Sequence, residues 1–217
     1  MSAEVVRNPV IITILNSPVA SNCYLIYDKA QSDECIIVDP GSKKNDELVS
    51  ILTQKSLSPK YIILTHEHFD HCWGVNDLRE RYPKIRLICS SICSETIQDP
   101  RTTYSHYYCK PAFCIAPADI LIEDIDGKIK WHDYTISFSQ AKGHSSSCIF
   151  IFVENAVFTG DSLIKNAKTI TKFKTGSLSD LKESLQNLSR YRGRGLVVYP
   201  GHGESFELDK YNLSEAL

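Results

Sequence analysis

A seven-residue segment, THEHFDH at residues 65–71, carries four side chains that can bind a metal ion. The apolar run YIIL at 61–64 precedes it and has the composition of a buried strand, and a helical pattern begins at residue 75. His66 and His68 are two residues apart, so in an extended segment they project to the same side. Asp70 and His71 lie where the chain turns into the helix and can face the same space. The segment predicts a metal site, although a solvated, histidine-rich loop would have the same composition.

Three more segments place a histidine or an aspartate directly after a glycine, each at the end of a strand-like run. They are GH at 143–144, GD at 160–161 and GH at 201–202. Glycine lets the backbone turn sharply and approach another group closely at such positions. Five of the seven histidines lie in these segments or in THEHFDH, which favours one shared site.

Hydrophobic periodicity predicts two halves of similar make-up. Strands are expected at 10–15, 23–27, 34–38, 61–64, 85–89, 120–122, 128–131, 135–140, 149–153, 156–159 and 196–199. Helices are expected at 46–56, 75–82 and 91–98, with an irregular loop at 99–118. A further helix follows Ser177 or Ser179 as its N-cap, with Leu178, Leu181 and Leu185 on one stripe. This order predicts two packed sheets with helices outside, in a single domain over residues 1–217.

The composition restricts the functional classes. With 42% hydrophobic and 23% charged residues, the 217-residue chain is expected to be globular. The net charge of −2 gives no support for nucleic-acid binding. We expect a cytoplasmic protein without membrane contact, because there is no basic leader and no apolar run near the roughly 20 residues that span a bilayer. The eight dispersed cysteines are then expected to be reduced thiols.

The ordered set of histidines and aspartates resembles the metallo-β-lactamase superfamily. Supporting matches are NCYL at 22–25, DPG at 39–41 and PGHG at 200–203. The resemblance implies an α/β (α+β) fold, a four-layer αββα sandwich with its metal site at one edge between the sheets. It also implies a ligand set, in which His66, His68 and His144 bind one metal, Asp70, His71 and His202 bind a second, and Asp161 bridges both.

The implied cofactor is a pair of zinc ions, with iron or manganese as alternatives. The two ions would supply a bridging hydroxide that attacks a small-molecule substrate, with Asp70 as the catalytic residue that orients it. Asp39 is expected to hold one of the metal ligands, unless it is only a turn residue.

Within the superfamily, Asp161 separates the chain from the true β-lactamases, which lack the bridging aspartate. The pattern is closer to glyoxalase II and its short relatives, which implies hydrolysis of a thioester or ester of the hydroxyacylglutathione type. Two departures are that only 15 residues follow His202, where glyoxalase II has a helical domain, and that a lysine-containing segment stands at 162–172. Likewise, SSS at 145–147 replaces the Pro-Gly-containing turn that is common after the third histidine. A mononuclear iron persulfide dioxygenase is the alternative. A metal-dependent nuclease is a third interpretation, which the net charge does not favour.

The residues that contact the substrate are the least constrained part of the prediction. Tyr104, His106 and Tyr107 are candidates to cover the metal site, although tyrosines that pack a long loop onto the core would give the same pattern. Lys165 is a candidate to attract an anionic substrate, or else an ordinary solvated lysine.

Overall fold

The structure, a computed structural model, describes residues 8–123 and 127–217. Two six-stranded sheets form its centre. The first contains, in spatial order, β1 (Val10–Leu15), β2 (Asn22–Tyr27), β3 (Glu34–Val38), β4 (Ser58–Ile63), β5 (Arg86–Ser90) and β6 (Ile120–Ile122). The second contains β7 (Lys128–Trp131), β8 (Tyr134–Gln140), β9 (Ile149–Val153), β10 (Ala156–Gly160), β11 (Val197–Pro200) and β12 (Phe206–Glu207), also in spatial order.

Helices lie between the strands along the chain. They are α1 (Asp46–Gln54), α2 (Phe69–Cys72), α3 (Val75–Arg81), α4 (Ser91–Thr96), α5 (Ser105–Tyr108) and α6 (Leu178–Ser189). Ser177 is the N-cap of α6, and its side chain accepts a hydrogen bond from the Asp180 amide. Short 3₁₀ turns follow at Leu208–Lys210 and Leu213–Ala216.

Three apolar clusters show how these layers pack. In the first, Leu48 of α1 and Leu78 of α3 cover the outer face of the first sheet. The second lies between the sheets, where Tyr24 meets Phe158 with ring centroids 5.1 Å apart. In the third, α6 covers the outer face of the second sheet through Leu181 and its neighbours on the same stripe. The layer order is therefore helices, sheet, sheet, helix, as the αββα prediction requires.

Most strand bounds agree with the predictions to within one or two residues, and β4 shows why one differed. We expected Pro59 to lie before this strand, but β4 begins at Ser58. Proline cannot donate a ladder hydrogen bond, and it is tolerated here because the pairing of β3 with β4 shifts register between Cys35 and Ile36. The pairing of β4 with β5 begins only at Tyr61, beyond the proline.

Five short elements were absent from the prediction, two of them the 3₁₀ turns. The turns α2 and α5 contain four residues each, and β12 contains two. Segments this short carry no measurable hydrophobic period, so α5 fell within the predicted loop at 99–118.

Within the described ranges, no helix is both long enough and apolar enough to cross a lipid bilayer. All eight cysteines lie in the described ranges, and none of them forms a disulfide there. The cytoplasmic location and the assignment of the whole chain to one domain stay predictions.

Candidate metal centre

The predicted metal ligands all follow the carboxyl ends of strands, at one edge of the sandwich. The parallel pairs β3–β4 and β10–β11 bring these ends together within each sheet. His66 and His68 follow β4, Asp70 and His71 lie in α2, and His144, Asp161 and His202 follow β8, β10 and β11, respectively.

One group of three histidines spans the two sheets. The candidate ligand atoms of His66, His68 and His144 lie within 4.8 Å of one another. His68 Nδ1 and His144 Nε2 are 2.9 Å apart. All three side chains are buried.

A second group lies beside it, with Asp161 between the two. Candidate ligand atoms of Asp70, His71 and His202 again lie within 4.8 Å. Asp161 Oδ2 is 3.5 Å from His144 Nε2, whereas its Oδ1 is 3.4 Å from His71 Nε2 and 3.6 Å from His202 Nε2. The carboxylate of Asp161 therefore faces both groups, one oxygen toward each.

Oxygen atoms behind the imidazoles orient their rings. His66 Nδ1 lies 3.0 Å from Thr65 Oγ, and His144 Nδ1 lies 2.9 Å from the Ile170 carbonyl. His202 Nδ1 is 3.1 Å from the Ala20 carbonyl. An oxygen acceptor at Nδ1 directs Nε2 of each ring toward the centre, which is the usual arrangement around a metal ion.

Asp39 connects two of these rings. Its Oδ2 accepts a hydrogen bond of 2.6 Å from the Thr65 hydroxyl and lies 3.1 Å from His71 Nδ1. Its Oδ1 accepts a bond from the Thr65 amide at 2.8 Å. Asp39 is buried, and it touches His71 directly and His66 through Thr65, as the predicted positioning role requires.

The donor set fits a pair of metal ions. Seven buried side-chain atoms have no hydrogen-bond partner among the described residues, and four of them belong to the predicted ligands: Nε2 of His66, His68 and His71, and Oδ1 of Asp161. A buried polar atom without a partner is costly in a folded protein. Metal ions at the centre would occupy at least the atoms that face it, and imidazole nitrogen and carboxylate oxygen are ligands of zinc, iron and manganese. Their role as ligands stays a prediction.

The pKa values of His68, His144 and Asp161 agree with this fit. Burial lowers the pKa of His68 and of His144 to about 4, which leaves both rings neutral near pH 7. Burial raises the pKa of Asp161, but His71 and the other imidazoles outweigh it and hold that pKa well below its usual value. For His71, burial lowers the pKa, but the carboxylates of Asp161 and Asp70 outweigh it and raise that pKa. His71 must therefore lose a proton before it binds a metal ion.

Gly201 allows the close approach on which the second group depends. A Cβ atom at this position would lie 2.1 Å from Asp161 Oδ1 and 2.8 Å from His71 Cε1. Both distances are far below van der Waals contact, so only glycine fits between the strand end and the carboxylate.

The sequence profile of the metallo-beta-lactamase superfamily matches residues 16–202 of the chain. The chain belongs to this superfamily. The match includes every predicted ligand from His66 to His202.

Two relatives in the superfamily match most of the chain. The probable metallo-hydrolase YqgX of Bacillus subtilis is 27% identical over 188 residues, which cover 86% of each chain. The hydroxyacylglutathione hydrolase of Pelagibacter ubique is 28% identical over 192 residues, which cover 87% of this chain and 69% of the relative.

Solved structures of the superfamily confirm the predicted fold. The BLEG-1 B3 metallo-beta-lactamase superposes with a TM-score of 0.83 at 26% identity, with 91% of this chain and 94% of that chain covered. ETHE1 from Myxococcus xanthus superposes with a TM-score of 0.74 at 20% identity, with 95% and 88% covered. The second likeness is one of fold alone.

Glu67 is a contact residue that the sequence analysis missed. It lies between His66 and His68 and is only 3% exposed. Its Oε2 accepts hydrogen bonds from the hydroxyls of Ser145, at 2.8 Å, and Ser147. Ser145 directly follows His144, so this contact joins the histidines of the first sheet to the histidine of the second. The sequence signal for this contact was the run of serines in place of the Pro-Gly turn that is common in the superfamily. Hydroxyls that become buried require a hydrogen-bond partner, and Glu67 is that partner.

We expect Glu67→Ala to lower the affinity for Zn²⁺ by about 10- to 100-fold, as is typical when residues that support metal ligands are removed. Loss of the carboxylate removes the acceptor that two buried hydroxyls share, and it frees His144 to move relative to His68. Competition with a chromophoric chelator measures the affinity. Glu183→Ala, at an exposed position of α6, is the matched control. Equal affinities of the two variants would contradict a supporting role for Glu67.

The predicted substrate-contacting residues fall into two groups. Tyr104 packs its ring 5.1 Å from that of His68, and both Tyr104 and Tyr107 line a pocket of about 420 Å³. His106 is exposed and contacts Tyr107, and Lys165 lies 3.6 Å from Glu204. Neither His106 nor Lys165 lines this pocket. Their roles toward a substrate stay predictions.

Proposed function

We propose that the protein is a dinuclear, zinc-dependent hydrolase that cleaves a thioester or ester bond in a small molecule. The observation that carries the proposal is the pair of ligand groups with Asp161 between them. The names of two relatives, a probable metallo-hydrolase and a hydroxyacylglutathione hydrolase, support the reaction class.

Two aspartates have separate roles in this proposal, one in neutralising charge and one in accepting a proton. Bound metal ions would lower the pKa of a water molecule and polarise the substrate's carbonyl oxygen. The carboxylate of Asp161 would neutralise part of their positive charge. Asp70 Oδ2 lies 3.3 Å from His202 Nε2, and its backbone carbonyl accepts a hydrogen bond from Ser21 Oγ at 2.5 Å. We assign Asp70 the orientation of the attacking water and the acceptance of its proton at the carboxylate.

The test also distinguishes two other activities, persulfide oxidation and β-lactam hydrolysis. An iron-dependent persulfide dioxygenase would use one metal ion, whereas the two ligand groups favour two. The similarity to BLEG-1 makes a β-lactam the natural comparison substrate.

The test combines metal content with a substrate panel. Protein purified without added metal is analysed by plasma mass spectrometry, and we expect about two zinc ions per chain. The protein is then assayed on hydroxyacylglutathione, simple thioesters, a lactone, a phosphodiester and a β-lactam. We expect the thioesters or esters to give the highest kcat/KM. One iron per chain together with oxygen consumption on a persulfide would overturn the proposal, as would full zinc loading without any hydrolysis.

A further inference from the structure

The pocket of about 420 Å³ beside the metal centre has the size of a small-molecule site. Glu67 and Tyr104 lie on its wall, and these two residues also connect it to the centre. Glu67 separates His66 from His68 in the sequence, and the Tyr104 ring contacts that of His68. The pocket therefore adjoins the metal centre.

Two cationic side chains line the pocket, Arg101 from the loop before α5 and Lys174 from the loop before α6. Within the parts of the chain that the structure describes, neither forms an ion pair. A guanidinium and an ammonium group together offer eight N–H donors to a ligand.

The two acidic residues of the same wall already accept hydrogen bonds from the protein. Asp99 Oδ1 accepts a bond from the Arg101 amide at 2.8 Å. Glu67 accepts bonds from Ser145 and Ser147. Asp99 thus bonds to the local backbone, and Glu67 bonds to a neighbouring loop. The N–H donors of the two cationic side chains stay available for a ligand.

Aromatic rings complete the pocket. Tyr104 and Tyr107 have ring centroids 6.3 Å apart, and Tyr107 is 68% exposed. The Tyr104 ring also packs against that of Phe173, the residue before Lys174, with ring centroids 5.1 Å apart, which brings the two loops together. Tyr104 adopts a left-handed backbone with φ of 62°, a conformation that is costly for a residue other than glycine and that recurs at binding sites.

We propose that this pocket binds the carboxylate-bearing half of the substrate, with Arg101 and Lys174 on the carboxylate and the two tyrosines against the adjoining apolar or planar part. The inference rests on the proposed hydrolase function and narrows its substrate to a thioester or ester that carries a negative charge. The carboxylate belongs either to the acyl half or to the thiol half.

The first experiment measures binding without a reaction. S-benzyl mercaptopropionate and its neutral amide, which contain no scissile bond, are titrated into the zinc-loaded protein by calorimetry. We expect the acid to bind about tenfold or more tightly than the amide, because charge-assisted bonds to Arg and Lys are stronger than neutral ones. In the double variant Arg101→Gln/Lys174→Gln, the ratio of the two affinities falls to about one.

Lys172→Gln is the matched control, since Lys172 is exposed on the same loop as Lys174 but does not line the pocket. It is expected to keep the preference for the acid. Equal affinities for acid and amide in the unmodified protein would overturn the proposal. A preference that survives in the double variant would overturn it too, because the carboxylate would then bind at the metal ions.

The second experiment finds which half carries the charge. The acetyl thioester of mercaptopropionate, the succinyl thioester of ethanethiol and the neutral acetyl thioester of ethanethiol are compared by kcat/KM. A higher value for one charged substrate assigns the carboxylate to that half, and three equal values would overturn the proposal. If neither these thioesters nor any ester of the panel is cleaved, the proposed function fails, and the calorimetric ratio still decides whether the pocket binds the carboxylate.

Discussion

Replacing Asp161 with asparagine is expected to reduce kcat/KM by at least about 1000-fold and to lower the zinc content from about two ions per chain to about one. Asp161 is the carboxylate that faces both ligand groups, with Nε2 atoms 3.4 to 3.6 Å from its oxygens. Asparagine keeps the shape but removes the negative charge. Without that carboxylate, the centre has one negative charge fewer to offset the positive charge of two divalent cations. Steady-state kinetics and plasma mass spectrometry on the same preparation measure both quantities.

Asp46→Asn is a suitable control, because this side chain is 75% exposed and lies at the start of α1. It is expected to leave both quantities within twofold of the unmodified protein. Retention of two zinc ions by Asp161→Asn with normal turnover would show that the carboxylate does not bridge the two groups.

The substitution Phe158→Ala is expected to lower the free energy of unfolding by about 3 to 5 kcal/mol. Phe158 is fully buried in β10 between the sheets, with ring centroids 5.1 Å from Tyr24 and 5.2 Å from Tyr199. Its removal loses buried apolar area and leaves a cavity that two rigid sheets can close only in part. Urea denaturation at saturating zinc measures the change, since metal binding also stabilises the folded state.

Leu15→Ala serves as the reference, because Leu15 is 62% exposed at the end of β1. Its expected effect is within about 0.5 kcal/mol. A loss below about 1.5 kcal/mol for Phe158→Ala would mean that neighbouring side chains fill the space, and the tight packing inferred between the sheets would be wrong.

The order of the strands could be predicted because each strand carries its own pattern. In β3 the apolar run CIIV is buried throughout, as a strand between two packed layers should be. In α6 the spacing of Leu181, Leu185 and Leu188 matches the face that covers the second sheet. Both patterns are local properties of the chain, and burial in the fold agrees with them.

The candidate site was predictable for a different reason. Imidazole and carboxylate side chains are few, and their clustering after strand-like runs is visible in the sequence. The predicted ligands do meet at one edge of the sandwich, and Asp39 contacts His71 as expected. The order of these residues also carried the resemblance to the superfamily that the profile match then showed.

The contacts between distant segments required the fold. Glu67 and Ser147 are 80 positions apart, and nothing in either segment alone specifies that they meet. Arg101 and Lys174 reach one pocket from opposite loops, whereas Lys165, the lysine favoured from the sequence, lies near Glu204 instead. By itself, the sequence determined which side chains can be buried in the core and which can bind a metal ion, because hydrophobicity and ligand chemistry are properties of single side chains. Only the tertiary structure decided which loops face each other, because the packing of one sheet on the other sets those distances.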